Sequence, residues 1–356
     1  MSAIAVIDHA AFAHNVSMLT ARAAPAEVML AVKADAYGHG MLDLAATALA
    51  AGARSLAVLE IPAALALRAA AVECPLFAWL HGAESDFAAA ITARVDLGVS
   101  SLHELDRIAA AATGSLPARV HLKIDTGLHR NGALPEQWAA LVTAARAHAA
   151  AGRIVIEGIW SHLADTSVDA DDAALTAFAR ALAEAAELGV TARVRHIAAS
   201  SAGWREPRAR YDLVRFGIAA YGISPFDEHT GHDLGLRAVM TLRTTLLDSP
   251  APAGRRWIAA GWADGVPLGA TGADVSIGGV RYAVETVEVD RTLIVAPPDD
   301  TDTLDSQVVT IFGEPGAGEP SAEDWARSSG TIGDEIVTGV PPRVPRHHDR
   351  SGLARR

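Results

Sequence analysis

Over its first two-thirds the chain alternates short apolar segments with longer alanine-rich ones, and this alternation constrains the fold more than any other feature. The short segments have the length and composition of buried strands, and the alanine-rich segments have apolar residues at helical spacing. Eight strand–helix units in about this length favour a (β/α)8 TIM-like barrel over an open doubly wound sheet. The predicted strands are Val28–Ala34, Ser55–Glu60, Pro75–Leu80, Val95–Ser100, Arg119–Asp125, Ile154–Leu163, Val194–Ser200 and Val214–Gly222.

The sequence changes character after about Asp227. A linker rich in Gly, His and Asp, His229–Gly235, precedes short alternating segments that are rich in Val, Thr and Ile. Such segments, separated by Pro/Gly turns, are typical of a mainly β domain. We therefore predict an α/β chain with a barrel domain over residues 1–228, a smaller, mainly β domain over 236–346 and a basic tail over 347–356. The strands predicted in the second domain are Val239–Leu247, Trp257–Trp262, Val280–Val289, Thr292–Ala296 and Gln307–Phe312.

The composition excludes several classes of protein. The 356 residues carry a net charge of −12, which argues against nucleic acid as a partner. No apolar run reaches the roughly 18 residues that a membrane helix needs, and the N-terminus lacks the layout of a signal peptide, so we expect a cytoplasmic protein with no membrane partner. The single cysteine, Cys74, cannot form an internal disulfide. Because the adjacent pair His347 and His348 lies in the tail, we predict no metal site.

Lysine is unusually scarce in this chain. Only two of the 30 basic residues are lysine, Lys33 and Lys123. Arginine provides a positive charge equally well, but its guanidinium cannot become a neutral nucleophilic amine. These two positions therefore point to chemistry that needs a primary amine, although chance survival remains an alternative for Lys123.

Polar clusters follow five of the predicted strands, where a barrel carries its chemistry. The first cluster begins with Lys33, at the end of an apolar strand. Desolvation at a barrel mouth lowers the pKa of an amine and favours a Schiff-base lysine, but a salt-bridged structural lysine fits the same position. The five clusters are Lys33–Gly40, Lys123–Gly132, His162–Thr166, His196–Ser201 and Arg215–Gly222.

The segment around Lys33 closely resembles a known signature. Residues 31–40, AVKADAYGHG, resemble the pyridoxal-phosphate motif of the alanine racemases, with Asp35 where that family usually has asparagine. The resemblance implies pyridoxal 5′-phosphate as cofactor, Lys33 as the catalytic lysine that binds it, and Tyr37 as a further cofactor-binding residue.

Residues 121–132, HLKIDTGLHRNG, resemble a second block of the same family. The resemblance implies that Arg130 is catalytic, because the family's arginine bonds the phenolic oxygen of the cofactor and lies near the substrate carboxylate. The lysine that corresponds to Lys123 is carbamylated in some members and supports that arginine. Only a primary amine takes up carbon dioxide in this way, which would explain why Lys123 survives.

Two further blocks, Ser161–Ala164 and Tyr211–Gly222, are similar to those that hold the pyridine ring in the family. They imply that Arg215 faces the pyridine nitrogen and that His162 orients it. A guanidinium does not give up its proton, so the ring would be a weak electron sink that favours proton transfer at the α-carbon. The residues implied for the cofactor phosphate are Ser200, Gly217 and Ile218.

The second half of the chain departs from the family. Alanine racemases use a second base, a tyrosine from the C-terminal domain of the partner subunit, shortly before a Gly-Tyr-Ala-Asp-Gly block. Here that block is Gly261–Gly265 (GWADG), and the segment Leu246–Ile258 that leads to it contains no tyrosine. The three tyrosines of the barrel belong to the motifs above or flank them, and Tyr282 lies in another predicted strand.

Other substrate positions also differ. The family's Cys-Met-Asp block is Glu288-Val289-Asp290, which keeps only Asp290 as an implied substrate residue. Ala199 stands where an asparagine is usual, and Pro342 stands where a tyrosine is usual. Asp264, Glu288 and Asp290 are the candidates for a replacement base, although a carboxylate is a weaker base than a tyrosinate.

Two hypotheses follow. The first is a pyridoxal-phosphate-dependent racemase that interconverts L- and D-alanine, or a similar small amino acid, through a Schiff base to Lys33 and an α-carbanion. The second is a degenerate homologue that binds the cofactor without racemising, because one base is missing. The resemblance also implies a homodimer and a small amino-acid substrate.

Overall fold

Two sheets of eight strands organise the residues that the computed structural model describes, which are 3–114, 116–296 and 308–353. One sheet lies in a barrel unit, which contains Ser17–Lys33 and Gly52–Gly217, and the other lies in a β unit formed by the rest of the described chain. The strands are β1 (Ile4–Asp8), β2 (Glu27–Ala31), β3 (Ser55–Val58), β4 (Leu76–Ala78), β5 (Val95–Val99), β6 (Ala118–Lys123), β7 (Ile154–Trp160), β8 (Val194–His196), β9 (Leu213–Phe216), β10 (Met240–Thr245), β11 (Arg255–Ile258), β12 (Asp274–Ile277), β13 (Val280–Val287), β14 (Thr292–Val295), β15 (Val308–Phe312) and β16 (Arg346–Asp349).

The helices alternate with the strands in the first part of the chain and return near its end. In the described ranges, none is both long and apolar enough to cross a membrane. They are α1 (His9–Ala23), α2 (Lys33–Tyr37), α3 (Met41–Ala50), α4 (Ile61–Ala69), α5 (Phe87–Thr92), α6 (Leu102–Ala111), α7 (Pro135–Ala150), α8 (Val168–Glu187), α9 (Ser200–Arg205), α10 (Ala322–Ser329) and α11 (Gly333–Thr338).

The barrel unit confirms the predicted fold class. Its strands are parallel and run in the order β8-β7-β6-β5-β4-β3-β2-β9. The two end strands are joined because the Asp212 N–H donates to the Arg195 carbonyl (3.2 Å) and the Arg215 N–H donates to the Ala198 carbonyl (3.1 Å), which nearly closes the ring. Each of the eight predicted strands overlaps an observed one but extends beyond its carboxyl end, where the polar clusters form loops. Large apolar side chains such as Phe77 and Trp160 fill the interior.

The β unit has the strand order β11-β14-β13-β12-β15-β10-β1-β16. Its strands pair antiparallel except β1 and β16, which are parallel. The five predicted strands of this region overlap observed ones, and Gln307, the first residue of the last predicted strand, lies outside the described residues. β12, α10 and α11 were not predicted from the sequence.

Both ends of the chain differ from the predicted boundaries. Residues 1–228 were assigned to the barrel domain, but β1 pairs with β10 and β16 of the β unit. Residues 347–356 were assigned to a basic tail, but Arg346–Asp349 is a strand, and only residues 354–356 lie outside the described part. The physical reason is that this pairing joins segments at opposite ends of the chain, and strand pairing of this kind depends on tertiary context.

Asp264 stabilises a turn of the β unit. Its carboxylate accepts hydrogen bonds from the Gly261 N–H (3.0 Å) and from the Arg343 guanidinium (2.7 Å). The Asp264 residue is buried, whereas Arg343 is half exposed. Asp264 therefore has a structural role that accounts for its burial.

Replacement of Asp264 by asparagine is expected to lower the free energy of unfolding by about 2 kcal/mol, the usual contribution of a hydrogen bond to a charged group. The asparagine oxygen can still accept from Gly261, but the charge that pairs with Arg343 is lost. Urea denaturation followed by circular dichroism measures the change. Asp290→Asn, at an exposed position of the same unit, is the matched control and should leave the midpoint unchanged; equal midpoints for both variants would contradict this role.

Candidate active site

The carboxyl ends of the barrel strands bring the predicted residues of the barrel unit to one end of the ring. Lys33 follows β2, whose hydrogen bonding continues because the Val32 N–H donates to the Ala57 carbonyl (2.8 Å). Lys123 ends β6, and Arg215 lies in β9. Five separate strands thus contribute to this mouth, since His162 follows β7 and Ser200 follows β8.

Arg215 is the most constrained of these side chains. Its Nη1 donates to Nδ1 of His196 (2.9 Å), and its Nη2 contacts Nδ1 of His162 (3.0 Å). Nη2 also lies within hydrogen-bond distance of the carbonyls of Ser161 (2.9 Å) and Ile197 (3.1 Å). The guanidinium plane is therefore fixed by four acceptors from two segments, Ser161–His162 and His196–Ile197.

The charge of Arg215 determines the protonation of its neighbours. Burial and then the positive charge of Arg130 lower the pKa of the Arg215 guanidinium to about 9, so the group stays charged at neutral pH. Burial and then the charge of Arg215 lower the pKa values of His162 and His196 well below the usual range. Both imidazoles are therefore neutral and can accept the hydrogen bonds of Arg215. The charge of Lys33 adds to the lowering at His162.

Arg130 and His162 both line a cavity of about 140 Å³, together with Ala199 and Ser201. Arg130 is exposed, and in the described part of the chain its guanidinium has no hydrogen bond to another side chain. Ala199, where the family usually has asparagine, leaves room in this cavity because it has no side chain beyond Cβ. The cavity thus carries a free cationic group at one wall.

Lys123 is almost completely buried, at 3% exposure. Its amine donates to the side-chain oxygen of Asn131 and lies 4.4 Å from the ring centre of Trp160. Burial, followed by the charges of Arg215 and Arg130, lowers the pKa of Lys123 to about 7. A large fraction of this amine is therefore neutral at physiological pH, whereas an exposed lysine amine is almost fully protonated.

Ser200 and Gly217 meet beside this mouth. The Ser200 hydroxyl accepts a hydrogen bond from the Gly217 N–H (3.0 Å), and Ser200 is the first residue of α9. These contacts bring together two of the three residues that were implied for the cofactor phosphate. The third, Ile218, is assigned to the β unit, where it begins a buried 3₁₀ turn that ends at Tyr221.

The segment after Lys33 has an unusual backbone. Ala34, Asp35, Ala36 and Tyr37 all have φ between 50 and 55°, a run of left-handed residues that alanine normally avoids. Hydrogen bonds within the β unit hold this turn: the Asp35 carboxylate accepts from the Met41 N–H (2.7 Å), and the Gly38 N–H donates to the Ala34 carbonyl (2.9 Å). The turn buries Tyr37 against the ring of Tyr221, at 4.9 Å between centres.

Burial and then the charge of Asp334 raise the pKa of Tyr37. The phenol therefore stays protonated and can donate a hydrogen bond, but it is not a base near neutral pH. Tyr282 is buried in β13 of the β unit, where it pairs with Val275. In these buried environments, neither Tyr37 nor Tyr282 takes the place of the family's catalytic tyrosine.

The region that lacks the tyrosine is a short antiparallel hairpin. β10 and β11 are joined by residues 246–254, with Leu246 paired to Ile258 and the Leu247 N–H donating to the Trp257 carbonyl (2.8 Å). Among the candidate bases, Asp264 has the structural role given above. Glu288 forms an ion pair with Arg291 (2.6 Å), whereas Asp290 is exposed.

Three residues that this site uses were not predicted from the sequence. His196 and Ser161 bind Arg215, and Asn131 binds Lys123. His196 and Ser161 lie in the polar clusters or motif blocks that the sequence marks, and Asn131 lies in the second block. The signal that could have found His196 is a histidine that ends an apolar strand and begins the polar cluster His196–Ser201.

Comparison with known proteins agrees with this geometry. The family model described as "Alanine racemase, N-terminal domain" matches residues 7–225, and "Alanine racemase, C-terminal domain" matches residues 250–348. The chain is 40% identical to an alanine racemase of Beutenbergia cavernae over 97% of each chain, and 41% identical to that of Thermobifida fusca over 96% of each. The alanine racemase structure from D-cycloserine-producing Streptomyces lavendulae is similar with a TM-score of 0.93 and 38% identity, covering 98% of this chain and 97% of that one. The chain therefore belongs to the alanine racemase family.

Proposed function

We propose that this chain is a cytoplasmic, pyridoxal-phosphate-dependent racemase that interconverts L- and D-alanine. The observation that carries the proposal is the buried, charged Arg215 with neutral His162 and His196 around it, at the same barrel mouth as Lys33. Family membership over nearly the whole chain supports the same activity, because the named relatives are alanine racemases.

The donor set of the barrel unit fits pyridoxal phosphate. Nη1 and Nη2 of Arg215 are used by protein acceptors, but its Nε–H has no partner within the described ranges and can bond an aromatic nitrogen. We propose that Ser200 and Gly217 of this unit hold the phosphate. Arg130 has a free guanidinium for an oxygen anion. Lys33 supplies the primary amine.

When bound, the cofactor would link to the amine of an amino acid and withdraw electrons from its α-carbon, which makes the α-proton acidic. In this proposal Lys33 removes or returns that proton on one face of the α-carbon. Arg130 binds and orients the substrate carboxylate through a charge-assisted hydrogen bond. Arg215 holds its own proton, so the ring nitrogen stays unprotonated and the reaction is directed to proton transfer.

Inversion also requires a proton donor on the opposite face of the α-carbon. The tyrosine that serves this purpose in the family has no counterpart in Leu246–Ile258. In the proposed function, an exposed group of the β unit takes this role, and Asp290 is the candidate because Asp264 and Glu288 already have partners. A carboxylate is a weaker base than a tyrosinate, so it removes the α-proton more slowly.

Incubation of the protein and pyridoxal phosphate with L-alanine in deuterated water tests the proposal. We expect the α-proton to exchange and D-alanine to appear in a chiral assay. Lys33→Arg should reduce both rates by more than about 100-fold, the usual contribution of a positioned general base. Borohydride reduction in the presence of the cofactor should label the peptide that contains Lys33 and not the one that contains Lys123.

The outcomes separate the two hypotheses. Exchange with retention of configuration would show a one-base site and would contradict racemisation. Labelling of Lys33 without any exchange would leave only a cofactor-binding homologue. Asp290→Asn tests whether Asp290 transfers the proton on the second face of the α-carbon. This variant is expected to lower the rate of inversion more than the rate of α-proton exchange.

We also propose that Lys123 carries a carbamate. Its pKa of about 7 leaves a neutral amine to react with carbon dioxide, and the resulting anion would lie among the cationic groups Arg130 and Arg215 that lower this pKa. Carbon-13 NMR with labelled carbon dioxide should show a carbamate signal that grows between pH 6 and 8 at constant dissolved gas, because the reaction consumes the unprotonated amine and releases a proton.

Because the chain has only two lysines, replacing either one shows which of them gives the carbamate signal. In Lys33→Arg, Lys123 is the only lysine that remains, so the signal should persist. In Lys123→Arg the signal should disappear, apart from any contribution of the N-terminal amine that both variants share. A signal that is equal in the two variants would refute carbamylation of Lys123.

We propose that the protein is a homodimer. Trp262 and Val289 are 49% and 55% exposed, and they are neighbours because the Ala263 N–H donates to the Val289 carbonyl (2.9 Å). Exposed apolar pairs of this kind favour a partner surface. Sedimentation velocity should give twice the 37.0 kDa chain mass. Trp262→Glu should shift the protein to monomer, whereas Val168→Glu, at an exposed site of the barrel unit, should not; a monomeric native protein would contradict the proposal.

A further inference from the structure

A chain of hydrogen bonds runs from Arg215 through the interior of the barrel unit. Arg215 Nη1 lies 2.9 Å from His196 Nδ1, and His196 Nε2 lies 2.9 Å from His121 Nδ1. His121 Nε2 faces Oδ2 of Asp96 at 3.5 Å, a close polar contact that does not meet the geometry of a hydrogen bond. These four residues, called here the histidine chain, are all at most 7% exposed.

The walls of the histidine chain exclude water. The Trp160 ring stacks on His196 at 5.6 Å, and Phe77 packs against both imidazoles at 4.9 and 5.7 Å. Gly158 of β7 provides the space for the His121 ring, because a Cβ at this position would lie 2.2 Å from His121 Nδ1. The hydrogen bonds therefore lie in an environment of low dielectric, where their direction matters most.

The direction of every bond follows from Arg215. A guanidinium only donates, so His196 Nδ1 must accept, and the proton of this neutral ring is on Nε2. His196 then donates to His121 Nδ1, which must accept, and the proton of His121 is also on Nε2. Protonation of His121 at both nitrogens would oppose the His196 N–H. The intact chain therefore allows one arrangement only, with both imidazoles neutral and His121 pointing its N–H at Asp96.

Asp96 is suited to receive that N–H because it cannot donate. Arg119 Nε binds its Oδ1 at 2.5 Å and keeps the carboxylate charged and in place. Arg119 also binds the buried Glu157 (2.6 Å), which pairs with Arg193 (2.7 Å). The structure described between residues 52 and 217 gives Arg215 no direct carboxylate partner, so Asp96 is the anion at the far end of its hydrogen-bond chain.

We infer that Asp96 is a positioning residue, which acts through His121 and His196 to fix the orientation of Arg215. Its carboxylate only accepts, so it stabilises the Nε2–H tautomer of His121 that the donor at the Arg215 end also requires, and this tautomer leaves His196 Nδ1 able to accept from the guanidinium. The inference rests on the proposed function only in assigning Arg215 to the cofactor ring. The tautomers themselves are properties of the chain, and they can be measured separately from racemisation.

Asp96→Asn is predicted to reverse the chain. The single oxygen of asparagine would bind Arg119, so its amide N–H would face His121 Nε2 and force that atom to accept. The two ends of the chain would then require opposite tautomers, and protons on Nδ1 of both imidazoles would break the hydrogen bond between His196 and Arg215. Nitrogen-15 NMR of the full chain with labelled histidine distinguishes the two tautomers, with and without pyridoxal phosphate.

In the native protein we expect two signals of the Nε2–H tautomer, assigned by their loss in His121→Gln and His196→Gln. Both should be lost in Asp96→Asn and replaced by Nδ1–H signals. Glu157→Gln is the matched control, because it removes another buried carboxylate from Arg119 without touching an imidazole, and it should keep the native tautomers.

The inference is overturned if Asp96→Asn keeps the native tautomers, or if Glu157→Gln changes them equally. Should Asp96→Asn not fold, the native spectrum alone still decides, since an Nδ1–H or doubly protonated His121 contradicts the proposed direction. Native tautomers as expected, in a protein that fails the alanine exchange assay, would leave this inference standing and reject the proposed function.

Discussion

The burial of one guanidinium, that of Arg215, is the constraint on which the barrel site depends. A charge removed from water needs hydrogen-bond acceptors, and here these are two imidazoles and two backbone carbonyls. The imidazoles can accept only while they are neutral, and the same charge that they stabilise lowers their pKa values. The cation and its acceptors therefore support each other.

The same charge affects the rest of the mouth. It contributes to the lowered pKa of Lys123, and together with burial it leaves that amine partly neutral. Arg130, whose charge also acts on Arg215, has no carboxylate partner in the described residues. The site of this unit is therefore rich in positive charge and suited to anionic groups such as carboxylates and phosphates.

The sequence predicted the eight barrel strands because each is a short apolar run next to an alanine-rich segment, and five of them are followed by a polar cluster such as Lys33–Gly40. It predicted Arg215 and His162 through motif blocks. It could not predict that β1 and β16 pair, because neither segment carries a local signal of its distant partner. The histidine chain was also missed, since the sequence does not tell which of the alternating residues of β5 and β6 meet inside a barrel.

The parallel pairing of β1 with β16 has a consequence for biosynthesis. All strands of the barrel unit lie between Glu27 and Phe216, so the ring is complete before the last third of the chain is made. β1 is synthesised first, yet its neighbours in the sheet are β10 and β16, and the latter begins at Arg346. The edge of β1 that pairs with β16 therefore stays unpaired until the ribosome has passed Arg346, and a chain released before that point exposes this edge of the strand.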